Sequence, residues 1–559
     1  MPPLVSPPRA VRRRQALLGV AAVAAAASAA PAPRVAAAPE ASWLYPAGGQ
    51  RGSTVEVEVG GAAPHWPPVV WCSDPDVEAT PRETAGKLRI AVSDAARPHV
   101  AWIRLADRDG AAPPRPWIVG KLPESVEAEP NDAVREAQPV DLEASPHRAC
   151  VVNGRLQAAG DVDVFRVIAQ AGQTLVADLD AQTELGTPLD AVLQILRPDG
   201  FVAAQNDDQL QLDPQLAYPL PQEGAWMVRV FGFPQQPGQS IQFAGDERFV
   251  YRLTVATGPV VQHAVPLAAR PGSLNRWRLF GWNLSPELRQ LELAPPPDRG
   301  ELTLDAGQFG RSIEVPTTAE ALVAEVEPNA PANPAEVPFP AVITGCIDDA
   351  YDRDAFEFSA TEGETAEIQI ASRQLGYPLD PLIELQDAEG RRLAHADDDA
   401  AARDPRLTHP IARTGKLRLV VADRFQHGGP DHVYRLTLGR AAPQWGLSAE
   451  VHQVVLPAGG SAEAAVVVER RHGFAESVRV QAASLPPGVA AEPVVSEAGG
   501  ETAGKVVLRF TARADAAAAS VPLRIVGQSG DGPALPATFV APGSSRRLAD
   551  LWLTVAPAP

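Results

Sequence analysis

Two long stretches of this chain repeat each other in register. Gly186-Thr187-Pro188-Leu189-Asp190 returns as Gly376-Tyr377-Pro378-Leu379-Asp380. At the same offset Arg197-Pro198-Asp199-Gly200 meets Asp387-Ala388-Glu389-Gly390, and Asn206-Asp207-Asp208 meets Ala396-Asp397-Asp398. Asp213-Pro214 is echoed by Asp404-Pro405, and both stretches close on nearly one strand, Val250-Tyr251-Arg252-Leu253-Thr254-Val255 and Val433-Tyr434-Arg435-Leu436-Thr437-Leu438. Matches this dense, spread over turns and strands alike, mean that a whole domain has been duplicated. Each copy opens on an acidic stretch, Glu127-Ala128-Glu129-Pro130-Asn131-Asp132 in the first and Glu325-Val326-Glu327-Pro328-Asn329-Ala330 in the second. Asp161-Val162-Asp163-Val164-Phe165 and Asp352-Arg353-Asp354-Ala355-Phe356 follow them.

At 559 residues the chain is too long for one core and suggests about three to five domains. Its 45% apolar content can fill several cores. The 57 prolines and 44 glycines punctuate short Val-, Leu- and Ile-rich runs with no collagen-like period, the pattern of many short strands joined by turns. The fold class read from this is all-β, as tandem β-sandwich domains after a signal segment. A net charge of −19, with no long basic run in the mature part, argues against nucleic acid as a partner. Cys72, Cys150 and Cys346 are far apart and lack a CxxC spacing, so they read as small buried hydrophobes and not as a disulfide framework or zinc site.

Residues 1–39 read as a targeting segment. Arg12-Arg13-Arg14 precede Gln15-Ala16-Leu17-Leu18-Gly19 and an alanine-rich run through Ala30, the layout of a secretory signal. The string RRQALLG resembles a twin-arginine signal. Pro31, Pro33 and Arg34 break the run short of the ~20 strongly apolar residues a membrane span requires. The mature chain is therefore expected to be periplasmic, extracellular or at the cell surface, with no transmembrane segment. In residues 40–121, Val55, Val57 and Val59 alternate with polar neighbours, and Lys87 to Val92 and His99 to Leu105 are further strand candidates. The line L-Y-P-A-G-G-Q-R-G-S-T-V-E-V-E-V-G-G resembles the opening strands of immunoglobulin-like modules of the TIG type. Residues 258–322, with Trp277-Arg278-Leu279-Phe280-Gly281-Trp282-Asn283-Leu284, read as a degenerate second such sandwich, and residues 441–559 as a C-terminal immunoglobulin-like one.

The repeated units, residues 122–257 and 323–440, resemble the bacterial pre-peptidase C-terminal domain. In the first copy the resemblance lies in E-A-E-P-N-D, N-G-R-L with G-D-V-D-V-F, L-D-A-V-L-Q-I-L, N-D-D and V-Y-R-L-T-V. In the second it lies in E-V-E-P-N-A, T-G-C-I with Y-D-R-D-A-F, L-D-P-L-I-E-L, D-D-D and V-Y-R-L-T-L. The resemblance implies jelly-roll-like β-sandwich modules attached to exported proteins. The alternation of TIG-like and repeated units also resembles large exported proteins of planctomycete bacteria.

The resemblance further implies calcium, because related modules ligate it with the E-x-E-x-N-D stretch and the downstream aspartates. Coordination chemistry points the same way, since calcium takes about six to eight hard oxygen ligands from carboxylates, amides and carbonyls. The expected ligands are Glu127, Glu129, Asn131, Asp132, Asp161 and Asp163 in the first copy, and Glu325, Glu327, Asn329, Asp352 and Asp354 in the second, where Ala330 removes one. Pro130 favours an extended Glu129, and the alternation of Asp161 and Asp163 puts both carboxylates on one side of a strand. The competing explanation is a polar linker whose Glu and Asn residues cap turns. Asp207, Asp208 and Asp213, like Asp397 to Asp399 and Asp404, fit no EF-hand spacing and read as turn and loop residues.

Neither G-x-S-x-G nor H-E-x-x-H occurs, no Gly-rich phosphate loop follows a strand, and His395 and His409 have no ligand spacing. A glycosidase pair of acids far apart in sequence stays open on this ground alone. The leading expectation is a non-catalytic binding or spacer protein, a string of sandwiches engaging extracellular polysaccharide, protein or a cell surface. Trp226, Phe231, Phe233 and Tyr377 are candidates for a binding face, with the core as their other destination. The alternative is an accessory subunit or diverged relative of a secreted peptidase or hydrolase lacking its catalytic domain. A third class is structural, in a surface layer or matrix.

Overall fold

The computed structural model describes residues 38–209, 212–233, 242–295, 300–304, 313–398, 404–544 and 546–557. The signal expected over residues 1–39 lies outside them but for its last two positions. Almost every described element is a strand, and no helix among the described residues is long and apolar enough to cross a membrane.

Period-2 patterning builds the first sandwich. Val57 is fully buried between Glu56 and Glu58 on Thr54–Gly60, and Leu88 and Ile90 face it from Lys87–Val92. These strands lie within one four-stranded sheet, and a second, of Gly48–Gln50, Arg115–Gly120, His99–Asp107 and Val69–Cys72, closes over it on Trp117.

The two repeated units share one topology. In the first, one five-stranded sheet runs Glu124–Val126, Ala149–Arg155, Val250–Ala256, Thr174–Asp180, Gln215–Pro219, and the other runs Gln138–Val140, Asp163–Ala169, Gly224–Gly232, Ala191–Leu196, Val202–Asn206. In the second, the sheets run Ala321–Ala324, Ala341–Cys346, Val433–Arg440, Thr365–Ala371, Arg406–Pro410 and Ala335–Glu336, Arg353–Ala360, Gly415–Asp423, Pro381–Asp387, Arg392–Ala396. Apart from one hairpin in each, consecutive strands alternate between sheets, so each core is assembled from both: Phe165, Trp226, Tyr251 and Leu253 in one, Phe356, Phe358, Tyr434 and Leu436 in the other. Between the modules, Val260–Val265, Asn275–Trp282 and Gln290–Leu293 form a three-stranded sheet that packs on Trp277 with the hairpin Glu301–Leu304, Ile313–Pro316.

Both modules are seated on the preceding sandwich by the arginine of the V-Y-R-L-T strand. Arg252 donates to the carbonyl of Ile118 at 3.3 Å and is paired, almost wholly buried, with Glu124. Arg435 donates to the carbonyl of Leu267 at 3.2 Å, and Thr344 Oγ1 accepts the Leu267 N–H at 2.9 Å. The residues at the Glu124 position differ, because Leu322 stands there in the second module.

The expected tandem sandwiches form, and the string also closes on itself. The last sandwich, on a core including Leu508, Phe510 and Leu553, folds back onto the first. Buried Arg104 donates to the carbonyls of His452 at 3.2 Å and Asp550 at 3.1 Å, and lies between the rings of Phe539 and Trp552. Trp71 meets Trp552 edge-on at 6.1 Å, and Ala111 N–H donates to Gln453 Oε1 at 2.7 Å. The last sandwich also reaches the first module through Arg546 and Glu184, 3.0 Å apart. Sequence reading did not anticipate this contact, because residues such as Trp71 and Trp552 look like ordinary strand residues until the two ends are brought together.

Candidate metal centres

The acidic stretch enters each module as an edge. Glu124–Val126 pairs in parallel with Ala149–Arg155, and Glu127 continues that pairing by donating its N–H to the Asn153 carbonyl at 3.0 Å. The Glu127 side chain turns inward, where Oε2 accepts the Arg155 N–H at 2.6 Å. Asp163, the first residue of its strand, comes from the opposite sheet and accepts a hydrogen bond from the hydroxyl of fully buried Tyr251. The second module repeats this arrangement. Glu325 Oε2 accepts the Cys346 N–H at 2.6 Å, and Asp354 accepts from Tyr434 Oη at 2.5 Å.

An asparagine completes each set. The backbone of Asn131 is held by its N–H to Glu129 Oε2 at 2.9 Å and by its carbonyl, which accepts the Val164 N–H at 3.1 Å. Asn329 is held the same way, to Glu327 Oε2 at 3.0 Å and from the Ala355 N–H at 2.8 Å. The peptide bonds Glu129–Pro130 and Glu327–Pro328 are cis. Asn131, Asp163, Asn329 and Asp354 are wholly buried. Among the described residues, Glu127 Oε1, Asn131 Oδ1, Asp163 Oδ1, Asn329 Oδ1 and Asp354 Oδ1 have no hydrogen-bond partner.

Buried oxygens without donors are costly, and two buried carboxylates side by side are more so. Burial pushes Glu127 up to about 7, and burial followed by the charge of Glu127 holds Asp163 well above the carboxylate range. In the second module burial raises Glu325, and burial followed by the Glu325 charge takes Asp354 up to about 10. Such a set is satisfied either by a proton held between the acids or by a cation. The donors are oxygens throughout, which fits calcium rather than a thiophilic or imidazole-seeking metal.

Glu127, Glu129 and Asp163 each place an oxygen within 4.8 Å of the others, as do Glu325, Glu327 and Asp354. Glu129, Asp132 and Asp161 form an adjoining group in the first module. Among the described residues the second module has no such adjoining group, since Ala330 stands at the Asp132 position. Asp352 instead accepts backbone N–H groups from Asp348 at 3.0 Å and Arg353 at 2.8 Å. Asp161 and Asp163 do not share a strand face. The strand begins at Asp163, and Asp161 lies in the turn before it, accepting the Gln157 N–H at 2.5 Å.

Other sequence candidates have structural work. Asp213 accepts the N–H groups of Gln182 and Thr183, and Asp404 those of Ser372, Arg373 and Gln374, so each caps a short helical turn from across its module. Asp399 lies outside the described residues. Trp226 and Phe231 are core, and Tyr377 packs edge-on against His263 of the small sandwich at 5.6 Å. Phe233 is exposed. Cys150 is buried, whereas Cys72 and Cys346 are half-buried. Tyr251, Tyr434, Gly154 and Gly345 belong to the sites and were missed as such. Each glycine faces its tyrosine across the ladder, and a Cβ there would lie 2.1 Å from Tyr251 Cζ or 2.4 Å from Tyr434 Cζ. The signal was present as N-G-R-L, T-G-C-I and V-Y-R-L-T, but only strand register shows that they meet.

No family model matches the chain. A probable subtilase-type serine protease of Deinococcus radiodurans is 31% identical over 102 residues, which are 18% of this chain and 14% of that protease. The chain therefore matches only a small part of that relative's length. Among solved structures, a periplasmic inhibitor of g-type lysozyme from Aeromonas hydrophila is 17% identical, with 24% of this chain and 97% of that one covered at a TM-score of 0.17. The pre-peptidase C-terminal domain of a Bacillus anthracis collagenase is 15% identical, with 19% of this chain and 92% of that domain covered at a TM-score of 0.15.

Proposed function

We propose that this chain is an exported, non-catalytic binding protein whose two modules, of the pre-peptidase C-terminal type, are each stiffened by calcium. The observation that carries this is the repeated burial of an Asn and an Asp whose oxygens no protein donor reaches, joined in the first module by buried Glu127 Oε1, whereas half-buried Glu325 of the second accepts from Asn329 Nδ2 and the Cys346 N–H. Glu127, Glu129, Asn131 and Asp163 would hold the ion in the first module, with Asp132 and Asp161 adjoining. Glu325, Glu327, Asn329 and Asp354 would hold it in the second. Calcium there would neutralise the paired carboxylates and lock the acidic entry stretch to the opposite sheet. The acids are thereby assigned to architecture, which supports a non-catalytic role. The targets in this reading are extracellular polysaccharide or protein, met in the periplasm, in the medium or at the cell surface.

A second reading, an accessory chain or diverged relative of a secreted peptidase, is favoured by the likeness to the subtilase-type protease. Capture from a native exoproteome with the full mature chain, in calcium and in chelator, tests both. The binding reading predicts a discrete partner retained in calcium and reduced in chelator. A peptidase in stoichiometric yield selects the accessory reading. Hydrolysis of a protein or glycan substrate by the purified chain, lost on Asp163→Asn, contradicts the non-catalytic one.

A further inference from the structure

The hairpin through which the first sandwich meets the last holds a different set of ligand groups. Asp107 ends the strand His99–Asp107, and Asp109 lies in the two-residue turn before Gly110–Ala111. His65 joins them from residues 61–68, the connection between Thr54–Gly60 and Val69–Cys72. That connection is pinned beside the histidine, where Trp66 Nε1 donates to the Arg82 carbonyl at 2.7 Å. His65, Asp107 and Asp109 each place one ligand atom within 4.8 Å of the others.

Hydrogen bonds within the protein leave this set unsatisfied. Asp107 is only 7% exposed, and its Oδ1 accepts the Asp109 N–H at 2.8 Å. Its other oxygen, Oδ2, is shut off from solvent with no donor, an expensive state for a carboxylate. The histidine is in conflict as well. His65 Nε2 lies 2.6 Å from Asp109 Oδ2 and 3.2 Å from Nε of exposed Arg108. Protonated, Nε2 donates to the aspartate but turns its N–H against the arginine. Unprotonated, it accepts from the arginine but turns its lone pair against the carboxylate. A His65–Asp109 ion pair therefore answers neither Arg108 nor Asp107 Oδ2. A cation among the three residues takes the imidazole lone pair and both carboxylates, and the exposed guanidinium turns out to solvent.

The donor set indicates the metal. One imidazole nitrogen with two carboxylates suits zinc or a neighbouring first-row ion, whereas calcium takes oxygens alone. Tetrahedral zinc ligands at about 2.0–2.2 Å from the ion stand about 3.3 Å apart, so the 2.6 Å pair of His65 and Asp109 opens by about 0.7 Å to admit it. We propose that His65, Asp107 and Asp109 bind a divalent cation of the zinc class, with water in the fourth position. The ion clasps residues 61–68 to the hairpin whose Ala111 N–H donates to Gln453 Oε1 of the last sandwich at 2.7 Å. It thereby braces the closure of the string from the first sandwich's side.

Equilibrium dialysis of the full mature chain against zinc tests this, with millimolar calcium present to compete for the oxygen-only sites of the modules and with metal counted by elemental analysis. One zinc per chain should be lost or weakened by at least about a hundredfold in His65→Ala and in Asp107→Asn, since even outer-shell losses cost about 10–100-fold. It should be retained in the control His427→Ala. His65 lies on a partly exposed connection, so His65→Ala keeps the test open if the buried Asp107→Asn misfolds. Zinc should also slow amide hydrogen exchange in residues 61–68 and 107–111 of the wild type and leave it unchanged in His65→Ala. No zinc uptake, or uptake equal in wild type and both variants, overturns the site. Displacement of the zinc by further calcium overturns the choice of metal. Binding without slower exchange in those two segments overturns the clasp.

Discussion

Glycine at positions 154 and 345 is set by the tyrosine opposite, whose ring occupies the space a side chain would fill. Gly154→Ala would put a Cβ 2.6 Å from Glu127 Oε2 as well as into the Tyr251 ring. We expect it to destabilise the first module by about 1–3 kcal/mol through overpacking, read by denaturant titration, and to abolish its calcium response. An unchanged midpoint and calcium response would show that the ring moves aside freely. At this scale the sequence was legible where one residue type carries one meaning. Glu127, Asn131 and Asp163 could be singled out as candidate oxygen donors, and the missing carboxylate at Ala330 was visible. Their second partners were not, because a tyrosine two strands away and a backbone N–H leave no local signature. The alternation of Asp161 and Asp163 misled for a related reason: a period of two implies one face only where both residues are already in the strand.

At the level of elements, duplication made the modules readable. Two copies of one pattern expose which positions hold the fold, and the paired sheets follow the repeats strand for strand. The acidic loop residues Asp213 and Asp404 were rightly assigned to turns, although the turns they cap lie some thirty positions earlier. The junctions were hidden. Arg252 reads as one more polar residue on an alternating strand, yet it is buried against Glu124 and the preceding sandwich. Glu124→Ala leaves that guanidinium without its charge partner and should cost about 3–5 kcal/mol, measured by chemical denaturation. Arg252→Met with Glu124→Leu should recover much of the loss. A single substitution within about 0.5 kcal/mol of wild type would mean that the pair adds nothing to the junction.

Across the whole molecule, contact between the first and last sandwiches closes the string of sandwiches that the sequence suggested. Sequence separation concealed it, since nothing local distinguishes Trp552 from a core tryptophan. Two histidines report on such contacts. Burial lowers His263, between Phe280 and Tyr377, to about 4, and burial followed by the Arg104 charge lowers His452 to about 4. A depressed histidine is neutral when folded while its unfolded counterpart takes up a proton below about 6.5. Stability is therefore full above that value and is lost as pH falls toward 4, by on the order of 3 kcal/mol per histidine. Melting in a fixed salt background should show early loosening of the sandwich contacts between pH 6.5 and 4. His263→Phe and His452→Phe should flatten that limb, and a limb unchanged in both variants would assign acid sensitivity elsewhere.

The central claim, that buried carboxylate sets in both modules hold calcium, is tested most directly by thermal unfolding of the mature chain in millimolar calcium and in chelator. A ligand present at about a hundred times its dissociation constant adds about 2.7 kcal/mol to the folded state. The account predicts a higher melting temperature in calcium. Asp163→Asn should reduce that gain and Asp163→Asn with Asp354→Asn should remove it, while both variants remain folded in chelator. A folded wild-type protein whose melting temperature is the same in calcium and in chelator would contradict it.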